Sequence, residues 1–499
     1  MKKAAKKTAV CLAFWTGCSV LWTGAVRDGR AMCVLMTGQA PPGPAPALAK
    51  IYNSDSKVIV ARKGKNTVIT MTNDFRGATG DFALIVPVPH VLPAESIRTV
   101  RTTIFDSLDR YSAPRLVEFT EPNPCLKNRP PRFGCGCSSR EEGTSPTTTT
   151  TSSSGDEAES ANIAGFVQIE GRYWVGEYEI VILTARQAED LSQWLSAHGY
   201  AFPAEAQSVV QSYLQAGMKF FVAKVAAWGI DPATKMDLSP LQIRFESERF
   251  MLPVRLGMTN SAGEQDLTIF VFTEKGRAEA ANYPTHFMPW GLTLPSGVRD
   301  TFAEFYRRMF RKNRLREGRN AVYIENAHMV SFEECDFCPL NPIGYEFLRA
   351  CGVDWIKPTT RGQGFEGNVY LTRMHVLYEP ADLPQDLVFV ETADQSAMTA
   401  KYEIWRPFQG QVSCKVPPQE AQKHFERERR AQQTYNDLLA DATDWPMRLR
   451  MLVWRIERAL PRPEQAFAWT DNPGAVADFL LPWLLILPTA WGLRRRLRR

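Results

Sequence analysis

Residues 57–71, KVIVARKGKNTVITM, decide how the fold is read. Two β-branched, largely apolar runs, 58–62 and 67–71, flank Lys63-Gly64-Lys65-Asn66. A short polar connection with a glycine between two such runs is the mark of a β-hairpin. A third apolar run, Phe82–Val88, follows and closes on Pro87-Val88-Pro89. Proline has no N–H to give to a ladder, so it marks a strand end or a sheet edge. Three short strands separated by turn residues predict a sandwich-like sheet.

Further along, the pattern alternates between strand and helix. Residues 179–183 read as a strand, and Thr184-Ala185-Arg186-Gln187 as a capping box opening a helix with Leu191, Trp194, Leu195 and His198 on one face and Gly199 at its end. Pro203 stands at a natural helix start, before Val209, Val210, Tyr213 and Leu214 on one face and Gly217. Strands are predicted at 220–225, 242–246, 250–256, 267–272, 321–324, 369–377 and 401–405. A helix carrying Phe302, Phe305, Tyr306, Met309 and Phe310 lies among them, and its aromatic stripe reads as a core face. From Gln419 to about Ala440 a charged helix, with Glu426-Arg427-Glu428-Arg429-Arg430, reads as a solvated stalk leading toward a membrane.

Composition and charge agree with a folded, exported chain. Its 499 residues are 44% hydrophobic and 23% charged, within the range of globular proteins and long enough for two to four domains. The net charge of +5 sits at the ends: residues 1–31 hold six Lys/Arg against one Asp, and residues 494–499 hold five Arg, so the body carries −5. A mildly acidic body excludes nucleic acid as a partner, since phosphate binding needs a basic face. Lys2, Lys3, Lys6 and Lys7 precede an apolar stretch, 8–26, with Gly29, Arg30 and Ala31 after it, the pattern of a bacterial secretory signal. The length of the run, with Trp15 and Trp22 in it, leaves an uncleaved anchor as the alternative. Neither Cys18 nor Cys33 has the spacing of a lipoprotein cleavage site. Residues 475–493, broken only by Asp478, Pro482 and Pro488, are long enough to span the bilayer, and the five Arg after them stay cytoplasmic.

The expected organisation is therefore a signal peptide (1–31), an N-terminal β-rich domain (32–137), a Ser/Thr-rich flexible linker (138–161) containing the threonine run 147–151, and a central α+β region (162–415). A charged helical stalk (416–460), a transmembrane helix (475–493) and a cytoplasmic Arg tail (494–499) complete it. The fold class is α+β: two or more β-rich, sandwich-like units with inserted helices, a C-terminal charged helix and a single transmembrane helix.

Beyond the signal, eight cysteines remain: Cys33, Cys125, Cys135, Cys137, Cys335, Cys338, Cys351 and Cys414. An even count in an exported chain reads as structural disulfides, with the pairing open. Cys135 and Cys137 are too close for an easy mutual bridge, and Cys125 is a candidate partner for one of them. Cys335-x-x-Cys338 admits redox, zinc or structural readings, with Cys351 or His328 as further zinc ligands. Glu333, Glu334 and Asp336 raise thiol pKa values and so favour the structural one.

Other motifs carry no chemistry. Gly362-x-Gly364-x-x-Gly367 matches a dinucleotide fingerprint, but the predicted strand follows it instead of preceding it. His90, His198, His286, His328, His375 and His424 are scattered, and His198 reads as a satisfied core histidine. No nucleophile elbow and no phosphate-binding loop occurs, so neither a catalytic residue nor a cofactor is expected.

Four stretches together resemble the bacterial domain-of-unknown-function family 2330: residues 81–89; residues 175–183 with the following helix and His198-Gly199-Tyr200; Cys335-Asp336-Phe337-Cys338-Pro339; and Leu371-Thr372-Arg373-Met374-His375 with Leu383-Pro384. Residues 402–407 and Ser413-Cys414 extend the likeness over most of the chain between Cys33 and the charged helix. The resemblance implies an exported protein, often with a C-terminal span, and brings no established activity. Members often open with a glycine-rich cysteine cluster, where this chain has only Met32-Cys33-Val34. The expectation is a membrane-anchored extracytoplasmic protein, binding or structural, with a possible envelope protein partner. The alternative is an envelope thiol-disulfide or metal-dependent enzyme centred on Cys335 and Cys338.

Overall fold

The computed structural model describes residues 34–37, 52–53, 56–72, 75–76, 82–125, 167–200, 202–225, 238–259, 264–332, 343–360, 364–411 and 418–439. They form a mixed α+β structure of several sheets with seven α-helices among the described residues. The chain divides into two compact units: Met1–Val117, Arg129–Leu292 and Asn313–Tyr402 make the first, and Glu118–Asn128, Thr293–Lys312 and Glu403–Arg499 the second.

The hairpin forms where the sequence places it. Ser56–Lys63 pairs antiparallel with Asn66–Met71, Lys63 opposite Asn66, and Gly64 takes φ +60° in the turn. This hairpin lies inside a nine-stranded sheet ordered Thr285–Phe287, Val322–Met329, Tyr370–Tyr378, Gln265–Thr273, Ser56–Lys63, Asn66–Met71, Leu241–Glu246 and Ile97–Thr99, with Met398–Thr399 paired to Val322–Met329. Phe82–Val88 belongs instead to a five-stranded antiparallel sheet, between Val34–Thr37 and Lys219–Val225, with Tyr178–Ala185 and Val167–Val175 beyond. Pro87 faces Phe220 on one side, while pairing on the other side runs from Phe82 only to Ile85. The residue without an N–H thus falls where one ladder has ended.

Side-chain alternation explains the layering. Val58, Val60, Ile69 and Met71 point into one core with Leu84, Val86, Ile180, Ile182 and Phe221 of the facing sheet. The neighbours Ile59, Ala61, Val68 and Phe270 point the other way, onto Ile104, Phe105 and Leu108 of the helix Thr103–Ser112 and Leu348 of Tyr345–Ala350. Ala83, Ile85, Val181 and Phe220 likewise meet Leu191 and Leu195 of Ala188–Ala197 and Val210 and Tyr213 of Ala206–Gln215. The first unit is thus four layers, helix on sheet on sheet on helix. Strands buried on both faces lose polar alternation, which is why Phe82–Val88 reads as an unbroken apolar run.

The regions 32–137 and 162–415, expected as separate domains, share both sheets: Ser56–Lys63 runs parallel to Gln265–Thr273, and Phe82–Val88 pairs with Lys219–Val225. Three strands alone cannot cover two apolar faces, so they are completed by strands from later in the chain. Residues 138–161 between them lie outside the described residues. Local differences have local causes. The strand Tyr178–Ala185 continues through Thr184, so the helix opens at Ala188 with Gln187 and Asp190 as its capping box. The next helix opens at Ala206, whose N–H donates to the Pro203 carbonyl. Residues 250–256 give only the short strand Met251–Leu252, after which Pro253 intervenes and Arg255–Met258 turns helical.

In the second unit the charged helix Pro418–Leu439 is not fully solvated. Ala431, Tyr435 and Leu439 recur every four residues and are buried. Tyr435 stacks on Phe305 at 5.1 Å, and Arg427 lies over Trp405 at 4.3 Å while donating to Glu121 Oε1 at 2.5 Å. The stalk reading is corrected accordingly: the helix spends its apolar stripe on packing. Among the described residues no helix is long and apolar enough to cross a membrane, and residues 475–493 lie outside them.

Candidate functional site: a charge-balanced clamp on the nine-stranded sheet

Of the eight cysteines, two are described. Cys125 is disulfide-bonded, and its N–H donates to Asn123 Oδ1 at 2.9 Å. Cys351 is a free, buried thiol packed in the outer apolar cluster with Val68, Leu348 and Val353, so the bridge expected there is not made. Burial pushes its thiol well above the ordinary range, which keeps it protonated and unreactive. Cys33, Cys135, Cys137, Cys335, Cys338 and Cys414 lie outside the described residues. Among the described residues no group of three or more His, Cys, Asp or Glu is placed to hold a metal ion.

The site that the structure does assemble comes from residues that looked scattered. Four adjacent strands bring Lys57, Thr268, His375 and Tyr323 opposite one another, because Thr268 pairs with both Lys57 and His375, and His375 with Tyr323. The outward-facing positions carry charge. His375 donates from Nδ1 to Glu325 Oε1 at 2.8 Å and from Nε2 to Asp266 Oδ1 at 2.7 Å. Arg373 donates from Nε to Glu325 Oε2 at 2.7 Å and from Nη1 to Asp109 Oδ1 at 2.6 Å. Lys57 closes the chain on Asp109 Oδ2. Asp109 belongs to the helix Thr103–Ser112, so these ion pairs fasten that helix to the sheet.

A break in register between Ile324 and Asn326 makes Glu325 an extra residue in the strand. Such a bulge re-aims side chains. Here it lets Glu325 serve Arg373 and His375 while Asn326 Oδ1 accepts from His328 Nδ1 at 2.5 Å. His328 Nε2 in turn accepts from the Tyr111 hydroxyl at 2.9 Å, on the same helix as Asp109.

Electrostatics separate the two histidines. Burial works against a charged His375, but Asp266 and Glu325 outweigh it and push the imidazole up to about 10. Burial alone would raise the Glu325 carboxyl, yet His375 and Arg373 hold it down to about 2. At neutral pH both are ionised, and three basic side chains, Lys57, Arg373 and His375, interleave with three acidic ones, Asp109, Glu325 and Asp266. His328 is the reverse case: burial, with Arg115 nearby, drops it to about 4, so it is a neutral hydrogen-bonding group. Burial pushes the Tyr111 hydroxyl up to about 12, so it remains a donor. The Glu325 carboxylate accepts from a cation on each oxygen and is 1% exposed, so it is closed to a substrate arriving from solvent. The arrangement can hold and rigidify. It is not poised to move a proton.

The cluster is not legible from Arg373 and His375 taken singly. The available signal was their spacing of two in an otherwise apolar strand, which puts both on one face, together with Asp266 and Glu325 in two other apolar strands. His198 behaves as a satisfied histidine: it caps its helix, bonds the Trp194 carbonyl through Nδ1 at 2.7 Å and stacks on the Trp194 ring at 3.9 Å. Gly364 and Gly367 lead into the strand Tyr370–Tyr378, the order that dinucleotide binding does not use.

Among curated proteins none matches this chain. A solved structure, that of baculovirus P35, aligns at 8% identity and a TM-score of 0.23 over 69% of this chain and 98% of that one, a likeness that carries no argument. The profile of a bacterial family described as an uncharacterised protein conserved in bacteria, DUF2330, matches residues 41–390, and the chain belongs to that family.

Proposed function

We propose that this is an exported protein, held in the cell membrane by residues 475–493 with its body extracytoplasmic, and that it acts as a binding or structural component of the cell envelope. The observation that carries the binding or structural reading is the saturated clamp. A buried group of ionisable side chains in the first unit is engaged in fastening Thr103–Ser112 to the sheet, Arg373 and His375 both paired with Glu325. Buried charges that are paired hold a rigid arrangement, whereas a general acid or base needs a proton or lone pair within reach of a substrate. Placement outside the cell rests on the two apolar terminal stretches and their basic flanks. Disulfides fit the same compartment, and Cys125 already forms one.

Protease added to intact spheroplasts tests the reading. The body should be digested from outside while an epitope placed after Arg499 is protected. A body that survives until the membrane is permeabilised would place it in the cytoplasm and remove the proposal.

A further inference from the structure

Seven large apolar side chains are exposed among the described residues; Ile169, Trp174, Leu315 and Phe425 stand apart from one another, whereas Phe287, Trp290 and Val390, 39%, 50% and 46% exposed, do not. They belong to one run of contacts. The Phe287 and Trp290 rings lie 6.0 Å apart. The Arg277 guanidinium lies over Phe287, 4.8 Å from its centroid, and donates to Glu279 Oε1 and Asp394 Oδ2, both at 2.7 Å. Val390 stands opposite Glu279 in the pairing of Ala278–Ala280 with Leu387–Glu391. Three exposed apolar residues therefore surround an ion cluster with two carboxylates and one guanidinium.

The aromatic pair is held rigidly. Between the two rings Met288 is fully buried, and its N–H donates to the Ile324 carbonyl at 3.0 Å. The Tyr402 hydroxyl donates to the Pro289 carbonyl at 2.5 Å, and Gly291, at φ +66°, donates to the Lys401 carbonyl at 2.9 Å. A backbone pinned at Met288, Pro289 and Gly291 pays little ordering entropy when its side chains are covered, which is the condition for an energetically dominant contact.

We propose that Phe287, Trp290 and Val390, with Glu279 and Asp394 beside them, form a docking surface for a partner polypeptide that presents a Lys or Arg next to apolar side chains. The inference rests on the binding reading above and supplies its partner class. Charge complementarity selects the occupant. Glu279 and Asp394 retain 30% and 43% side-chain exposure, and Arg277 neutralises one charge of the two. Hydrogen bonds from Ser396, and then Arg277, hold the Asp394 carboxyl below its ordinary value, so the rim is anionic. Indole is the best of the aromatic faces for a cation, and Trp290, next to the Phe287 ring that Arg277 covers, supplies one. An anionic lipid surface would be repelled by the same carboxylates.

Short random peptides displayed on phage and selected against the full chain provide the probe. Selection should enrich Lys or Arg adjacent to apolar residues, and a synthetic peptide of the enriched sequence should bind about tenfold more weakly to Trp290→Ala and to Asp394→Asn. Val390→Thr, on a half-exposed strand position, provides a second apolar test should Trp290→Ala disturb the fold, and thermal unfolding checks each variant. Enrichment of acidic peptides, no enrichment, or binding indifferent to all three substitutions would overturn the surface. Binding to phosphatidylglycerol vesicles that Trp290→Ala abolishes would also overturn it, in favour of lipid. Peptides that bind but ignore the substitutions leave the binding reading standing elsewhere on the protein. A cytoplasmic body in the spheroplast experiment removes the envelope reading without touching the peptide result.

Discussion

Replacing His375 with Gln removes the cation held between Glu325 and Asp266. The imidazole is raised from 6.5 to about 10 in the folded protein, and at about 1.4 kcal/mol per unit the ceiling on its contribution is about 5 kcal/mol. Arg373 still holds Glu325 in the variant, and Asp266, 32% exposed, can turn to water, so the expected loss is about 3–4 kcal/mol. A folded-state pKa above the unfolded one gives stability that is complete below pH 6.5 and disappears as pH rises through about 10. The gap between wild type and His375→Gln should therefore be widest below pH 6.5 and close toward pH 10. Urea unfolding followed by far-UV circular dichroism across that window measures it, and ¹⁵N chemical shifts of the imidazole report the charge independently. A gap unchanged between pH 6.5 and pH 10, or a neutral His375 ring at pH 8, would refute the argument.

Glu325 works in the opposite direction: its depressed carboxyl stabilises above pH 4.5, and this share is lost as pH falls through about 2, which acid titration of the folded protein should reveal beside an Arg373→Met control. Asp109→Asn leaves Lys57 and the buried Arg373 without their shared anion and should cost about 2–3 kcal/mol, with hydrogen exchange accelerated first in Thr103–Ser112. At Gly352, φ is +92° and an added Cβ would lie 2.6 Å from Val68 Cγ1, so Gly352→Ala should lose roughly 2–3 kcal/mol in chemical denaturation. Cys351 should react with a thiol reagent only as fast as the protein unfolds, which a mass-resolved labelling time course can check.

The elements were legible where one physical signal dominated. Turn chemistry at Gly64 fixed the hairpin, and the long apolar strands at Gln265–Thr273 and Tyr370–Tyr378 were found to within a few residues. Helix starts slipped because Thr184 and Gln187 both look like caps, and only the strand's hold on Thr184 decides between them. Architecture was less accessible. Nothing local to Ser56–Lys63 says that it runs parallel to a strand some two hundred residues later, so the composition break at 138–161 looks like a domain boundary from sequence alone. The clamp escaped for the same reason. Asp109, Asp266, Glu325 and His375 come from a helix and three strands far apart in the chain, and it is the register of those strands together with the bulge at Glu325 that makes them neighbours. Cys351 shows the limit of counting: parity suggested a bridge, whereas its place between Leu348 and Val353 makes it a small apolar core residue.

Reporter fusions after Arg499 put the envelope assignment to the test in living cells. Green fluorescent protein fused there should fluoresce, and alkaline phosphatase fused there should be inactive, because the proposed topology keeps the five terminal arginines in the cytoplasm with the body outside. Active phosphatase with a dark fluorescent fusion would place the C-terminus outside and contradict the assignment.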